Sequence, residues 1–200
     1  MNSKEVEEKK RLFEKTLEKL DTPAKVQDYL DALGYNHGDT THSAFKVFLL
    51  RKAHCQEGAL FAAAALEKQG MPPLLLDLVA VRDTHHVVAV FKAGGKWGAV
   101  AKSNYSGLRY REPICETAGE LARSYFEDYY NCQGKKTLRS YAVFDLRKSG
   151  MEWKYSLKSL RKLDDVLDEQ KHFPLLGKKA EKNLRKADWR VVKAGFVGSA

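Results

Sequence analysis

The order of hydrophobic patterns along the 200-residue chain predicts an α+β fold. Apolar residues at helical spacing dominate up to residue 70, and short β-rich runs begin at residue 74. From about residue 150 the pattern is again helical, and it is basic. We therefore expect N-terminal helices at 1–38, a core at 39–148 and a basic C-terminal extension at 149–200.

The N-terminal part is expected to form two helices. Residues 3–20 alternate charged side chains with a narrow apolar stripe at helical spacing. In the segment that follows, Thr22 suits a helix cap and Pro23 suits a first turn, and Gly34 suits a helix end. The stripe of the first helix consists of Val6, Leu12, Phe13, Leu17 and Leu20.

Two further helices are expected before the strands. After the polar loop at 37–43, residues 44–53 are apolar and short. Residues 56–69 form an alanine-rich apolar run that Gly70 closes, and the prolines at 72–73 prevent its continuation.

The strands follow as a meander. The runs LLLDLVAV, HHVVAVFKA and KWGAVAKS are separated by the turn segments RDTH and GG. They predict an antiparallel sheet packed against the preceding helix. Residues 116–130 return to helical spacing, and residues 138–146 could add one more strand.

Composition narrows the class of protein. A hydrophobic fraction of 44% is enough for a core without disulfides, and the cysteines at 55, 115 and 132 form no CxxC pair. The first 20 residues lack a secretory apolar segment, and no run approaches the roughly 18 apolar residues of a membrane span. We expect a cytoplasmic protein with no membrane association.

Cys55 stands at the start of the alanine-rich helix. Unpaired N–H groups at a helix N-terminus stabilise a thiolate and can hold an oxyanion. Such a nucleophile needs a histidine, and His85 and His86 open a strand about 30 residues later. Because side chains alternate along a strand, only one of the two can face Cys55. A buried inert thiol and a pair of surface histidines are the simpler interpretations of each feature taken alone.

A longer pattern joins these features. The spacing C-x-x-x-A-x-x-x-x-x-x-L-x-x-x-G-x-P fits Cys55, Ala59, Leu66, Gly70 and Pro72. A strand that begins with histidine, a glycine turn and Trp97 follow this motif in the sequence. Over residues 40–112 the chain resembles the transglutaminase-like core of the papain-type cysteine protease superfamily. The resemblance implies that Cys55 is the nucleophile and His86 the base, with His85 as the alternative base. It implies no cofactor.

The chain departs from that family where an acid usually orients the histidine. The family pattern W-x-x-V-D is WGAVAKSNY here, so Ala101 takes the place of the acid. We expect Asn104, or alternatively Ser103, to orient the ring, although Asn104 also suits a turn. The resemblance implies amide hydrolysis or acyl transfer through a thioester on Cys55. The alternative is a catalytically inactive domain of the same fold that serves as a binding module.

Substrate and partner candidates follow from charge and aromatic content. We expect Trp97, Arg109 and Arg111 to contact a peptide or protein amide substrate. The alternative for the two arginines is an exit strand from which their side chains point outward. The net charge is +9, and residues 151–200 hold 12 Lys/Arg against 7 Asp/Glu, a net charge of +5. That excess fits a solvated basic face or a site for nucleic acid or an acidic protein. We predict no metal site, because the adjacent pairs His54–Cys55 and His85–His86 rarely place both members on one ion.

Overall fold

The computed structural model describes residues 2–197 of the chain. It contains a six-stranded antiparallel sheet with helices on both faces, which confirms the mixed helix and strand content and the antiparallel sheet expected from the sequence. The helices are α1 (Ser3–Lys19), α2 (Pro23–Asp31), α3 (Ala44–Leu50), α4 (Cys55–Lys68), α5 (Ala118–Ser124), α6 (Lys162–Asp168), α7 (Lys178–Lys182) and α8 (Trp189–Gly195). The strands are β1 (Gly34–Tyr35), β2 (Lys52–Ala53), β3 (Leu74–Ala80), β4 (His86–Ala93), β5 (Lys96–Val100), β6 (Arg111–Cys115), β7 (Leu138–Asp145) and β8 (Phe173–Pro174).

Local sequence signals set the ends of the N-terminal helices. The Asn2 side chain accepts a hydrogen bond from the Glu5 amide at the start of α1, and Thr22 accepts one from Lys25 at the start of α2. Gly34 does not end α2, which stops at Asp31. It begins β1 instead, and β1 pairs in parallel with β2.

The sheet has the strand order β6-β5-β4-β3-β7-β8. Strands β3 to β6 are the meander, and β7 pairs with the other side of β3. The sequence indicated an exit strand in the segment that contains β6, but it did not indicate the two-residue β8. The helix expected over 116–130 is shorter, because it ends at Ser124 and aromatic side chains of the following turns pack on the sheet.

Helix α4 lies on one face of the sheet. Its alanines, including Ala59 and Ala62, are fully buried and allow close approach to Val87 and Ala89 of β4. Alternation along β4 sends His86 to the opposite face, where Tyr125 and Tyr129 pack. The first turn of α4 lies at the end of the sheet where β4 begins, so Cys55 and His86 are brought together there.

The C-terminal extension packs on the rest of the protein. Leu163 and Leu167 of α6 belong to the main core, and Gln56 Nε2 donates to Asp164 Oδ1 at 2.7 Å. His172 Nε2 lies 2.9 Å from the buried carboxylate of Asp77 on β3. Within residues 2–197 no helix combines the length and the apolar character that crossing a membrane requires.

Candidate active site

Cys55 is the first residue of α4, and its side chain is partly exposed. The first hydrogen bond inside the helix runs from Gly58 N to His54 O at 2.9 Å. The amides of Cys55 and Gln56 precede that bond, and neither donates to a backbone carbonyl in the described part of the chain. The sulfur therefore lies beside two free N–H groups at the positive end of the helix.

The His86 ring is held on both sides. It is 4% exposed, and Nε2 donates a hydrogen bond of 2.8 Å to the carbonyl oxygen of Leu108. Tyr125 and Tyr129 contact the ring edge-on, with centroid distances of 6.3 and 6.5 Å. Because Nε2 is hydrogen-bonded to the Leu108 carbonyl, Nδ1 is the ring nitrogen that hydrogen-bonds with the Cys55 sulfur.

A second imidazole, that of His54, also contacts the thiol. Its Nε2 donates to the carbonyl oxygen of Thr40 and lies 3.6 Å from Glu57 Oε1, while the ring is hydrogen-bonded to the Cys55 side chain. Both ring nitrogens thus face acceptors, an arrangement that favours the protonated form.

Glu57 supports this histidine from inside the protein. Its side chain is 0% exposed, and it accepts hydrogen bonds from the His54 and His42 amides. Asn36 Nδ2 and Thr40 Oγ1 donate to it as well, each at 2.8 Å. A buried carboxylate with this many donors is held in one position, and it fixes the loop that carries Thr40 against α4.

The charges around the sulfur favour the thiolate. Burial opposes ionisation, but hydrogen bonds from His54 and His86 and the positive charge of both rings outweigh burial and lower the pKa of Cys55 to about 5. Burial also opposes protonation of His54, yet the hydrogen bond and the negative charge of Cys55 raise the pKa of His54 to about 9. Between these values Cys55 and His54 form a thiolate–imidazolium pair.

The thiol opens into a cavity of about 110 Å³. Four tyrosines line it, and one of them, Tyr129, donates its hydroxyl hydrogen to Thr84 O at 2.6 Å. The Tyr35 hydroxyl makes no hydrogen bond within the described residues, and burial together with the negative charge of Cys55 raises the pKa of Tyr35 to about 12. Tyr35 is therefore a neutral donor that a bound molecule can use. The tyrosines are Tyr35, Tyr105, Tyr129 and Tyr130.

The structure separates the two histidines that the sequence left as alternatives. The His85 side chain is 40% exposed and points towards Asp168, with Nδ1 3.9 Å from Oδ1. Only its carbonyl oxygen approaches Cys55, at 3.9 Å from the sulfur. His86 is the histidine that faces the thiol.

The residues expected to orient the ring do not do so in this structure. Asn104 and Ser103 both line the cavity, but Asn104 makes no hydrogen bond with His86 and Ser103 Oγ accepts one from the Tyr105 amide. Ala101, the position at which the resemblance led us to expect an acid, is buried, and Gln27 hydrogen-bonds to both its N–H and its C=O at 3.0 Å. The acceptor for His86 is the backbone of Leu108 instead.

Three expected substrate contacts lie elsewhere. Trp97 pairs with Lys92 at the far end of β4 from His86. Arg109 forms an ion pair with Asp31 at 3.1 Å, and Arg111 donates to Asp128 at 3.0 Å while stacking over Tyr125. Arg109 therefore ties the segment after β5 to α2, and Arg111 ties the start of β6 to the turns after α5.

Several residues of the site were missed or given another role by the sequence interpretation. His54 was considered only as a metal ligand, and no group of three or more potential metal ligands occurs in the part of the chain that the structure describes. A signal for Glu57 was present, because it is an isolated acid in the first turn of an otherwise apolar helix. The role of Leu108 has no signal in the sequence, because it is the backbone carbonyl and not the side chain that contacts His86.

Comparison with protein-family models gave no match to this chain, and comparison with curated proteins found no relative. The geometry of the site is therefore the basis on which a function can be proposed.

Proposed function

We propose that this chain has a transglutaminase-like core of the papain type and that Cys55 is the nucleophile of an amide hydrolase or acyltransferase. One observation carries the proposal: a thiol at a helix N-terminus is hydrogen-bonded to a buried histidine whose other nitrogen is held by a carbonyl oxygen. This is the nucleophile, base and orienting acceptor that cysteine acyl transfer requires.

The first half of the reaction forms a thioester. The Cys55 thiolate attacks the amide carbon, and the free N–H groups of Cys55 and Gln56 stabilise the oxyanion, with the Tyr35 hydroxyl as a further donor. The C–N bond then breaks, and the proton on Nδ1 of His86 passes to the leaving nitrogen. The products of this half are a free amine, the thioester on Cys55 and a neutral His86.

The second half releases the acyl group. Nδ1 of His86 takes a proton from water or from an acceptor amine as its oxygen or nitrogen bonds to the acyl carbon. The C–S bond breaks and the thiolate is restored, which closes the cycle without a cofactor. Water gives a carboxylate product, and an amine gives a new amide.

Leu108 takes over the orienting role of the expected acid but not its negative charge. Its carbonyl oxygen fixes the ring so that Nδ1 points to the sulfur, as an amide oxygen does in papain-like sites. A neutral acceptor adds less electrostatic support to the imidazolium than a carboxylate would. The pairing of Cys55 with His54 supplies a second positive charge close to the thiolate.

The test is the pH dependence of Cys55 alkylation by iodoacetamide in the wild type and in His86→Ala. We expect a midpoint near pH 5 in the wild type and a rise in His86→Ala on the order of one to three pH units, because one hydrogen bond and one charge are removed. A wild-type midpoint at the value of a free thiol, about 8.5, would contradict the proposal.

The second candidate function is the catalytically inactive binding module. It is favoured by the absence of an acid at position 101. Ala101 takes that position, and the Gln27 side chain hydrogen-bonds only to its backbone N–H and C=O. It requires that Cys55 react like an ordinary thiol, so the alkylation profile separates the two candidates. In either case the free state of all three cysteines in the described residues supports a reducing, cytoplasmic location.

A further inference from the structure

A strongly basic groove runs beside the candidate active site. We define the basic groove by the six basic side chains that line it, and its larger part has a volume of about 510 Å³. It combines the start of β7 and the turn before it with the loop after β3 and the segment that follows α7. The six residues are Arg82, Lys135, Lys136, Arg139, Arg185 and Lys186.

Only part of this positive charge is neutralised. Lys136 pairs with Glu127, and Arg139 pairs with Glu181 at 2.8 Å. Arg82, Lys135 and Lys186 are exposed and form no ion pair within residues 2–197. Unpaired cations on several sides of one groove attract and orient an anionic segment.

The basic groove and the cavity at Cys55 share a wall. Thr137 lines the groove and Asp83 lines the cavity, and the Thr137 hydroxyl donates to Asp83 Oδ2 at 2.7 Å. Likewise, Tyr130 lines the cavity and its sequence neighbour Asn131 lines the groove. A chain that lies in the groove is therefore next to the cavity, with only this wall between them.

We propose that the basic groove binds an acidic segment of a polypeptide substrate next to the amide that is presented to Cys55. This inference rests on the proposed function and names its substrate class. Asp83 at the wall and Asp168 near His85 disfavour an acidic residue at the cavity itself, so the residue at the reacting amide is not acidic and the carboxylates lie in the groove.

The lining favours a polypeptide over a nucleic acid. No aromatic side chain lines the groove in the described part of the chain, so bases have no ring on which to stack. The groove also lies next to the cavity that contains a thiol suited to acyl chemistry, and a polynucleotide offers no amide in its backbone.

The test uses the full chain carrying Cys55→Ser, so that binding is measured without reaction. Fluorescein-labelled decaglutamate is titrated by anisotropy against this protein and against the same protein with Lys135→Glu and Lys186→Glu. We expect the double charge reversal to weaken binding at least about tenfold, and added salt to weaken binding to the unreversed protein. Reversal of the exposed α1 residues Lys4 and Lys9 changes net charge equally and is expected to leave affinity within about twofold.

Two results would overturn the inference. Equal binding by the groove variant and the α1 control would show that net charge alone attracts the peptide. Tighter binding of labelled decathymidylate than of decaglutamate, lost in the groove variant, would assign the groove to a polynucleotide. Iodoacetamide titration of the wild-type protein, whose groove lysines are intact, separates this inference from the proposed function. A Cys55 alkylation midpoint near pH 5 with no binding of decaglutamate to the unreversed Cys55→Ser protein removes the groove assignment alone. Ordinary thiol reactivity with groove-dependent binding of decaglutamate removes the catalytic proposal alone.

Discussion

At the scale of single residues, Glu57 is the group on which the loop before α4 depends. It is fully buried and is the common acceptor for the Asn36, Thr40, His42 and His54 donors. We expect Glu57→Ala to lower the free energy of unfolding by about 3–5 kcal/mol, because it leaves a charged His54 and several buried donors without their acceptor. Urea unfolding measures the loss.

The matched control for Glu57 is Glu8→Ala on the exposed face of α1, where no ion pair is formed within the described residues. We expect its effect to stay within about 0.5 kcal/mol. A loss of the same small size for Glu57→Ala would show that the network is replaced by water at little cost.

His54 has a separate effect that a structural role alone would not produce. Its hydrogen bond and positive charge help to keep the pKa of Cys55 near 5 against the effect of burial. Removing it in His54→Ala should raise the midpoint of Cys55 alkylation on the order of one pH unit or more, with the protein still folded. The midpoint is read from initial rates of iodoacetamide modification across the pH range.

His85→Ala is the control for His54→Ala, because His85 is also next to the site but its side chain faces Asp168. We expect its alkylation midpoint to equal that of the wild type. Equal midpoints for all three proteins would leave His54 with a structural role only.

At the scale of elements, close packing of α4 against the segment after β5 depends on Gly58. A Cβ on Gly58 would lie 2.5 Å from Lys102 Cβ, and the Lys102 ammonium donates to Leu30 O and Leu33 O at the end of α2. We expect Gly58→Ala to destabilise the protein by about 1–3 kcal/mol, although alanine is the better helix former by up to about 1 kcal/mol. Thermal or urea unfolding measures the change.

Gly177→Ala provides the comparison, because a Cβ at that position, just before α7, meets nothing within 4 Å. Its expected effect is a few tenths of a kcal/mol. A stabilising Gly58→Ala would mean that Lys102 shifts freely and that the contact between α4 and this segment is loose.

The elements also show how far the sequence determines the structure. Helices α1 and α4 and strands β3 to β5 follow from apolar spacing within each segment. Gly70 marks the end of α4, and the Gly94–Gly95 turn marks the boundary between β4 and β5. The pairing of Cys55 with His86 could be predicted from the sequence, because each residue begins a helix or a strand. The contact of the Leu108 carbonyl with the His86 ring could not be predicted, because every residue has a carbonyl and only the tertiary fold brings this one to the ring. Arg109 was assigned to substrate for the same reason, since its partner Asp31 is 78 residues away.

At the scale of the whole molecule, the candidate site exists only in the folded chain. The sulfur lies near a carbonyl 30 residues later, and the ring of the next residue is held by a carbonyl 22 residues beyond it. The adjacent His54 is positioned by the Thr40 carbonyl and by the buried Glu57. The low pKa of Cys55 is therefore a property of tertiary structure and not of the local sequence.

This dependence can be measured against the two other cysteines. At about pH 6 a thiol with a pKa near 5 is mostly ionised, whereas a free thiol is less than about 1% ionised. The lower intrinsic nucleophilicity of an acidic thiolate offsets much of that advantage, so we expect Cys55 to react with iodoacetamide about tenfold faster than the exposed Cys132. Cys115, whose pKa is raised mainly by burial, should react more slowly than either.

Unfolding in concentrated urea should bring the three rates together, because the histidines and the helix N-terminus no longer surround Cys55. Mass spectrometry of the tryptic peptides after short exposure to iodoacetamide gives each rate in one sample. An advantage of Cys55 that survives in urea would assign its reactivity to the neighbouring His54 in the sequence. A native Cys55 no faster than Cys132 would mean that the fold places the thiol and the histidines together without activating the thiol.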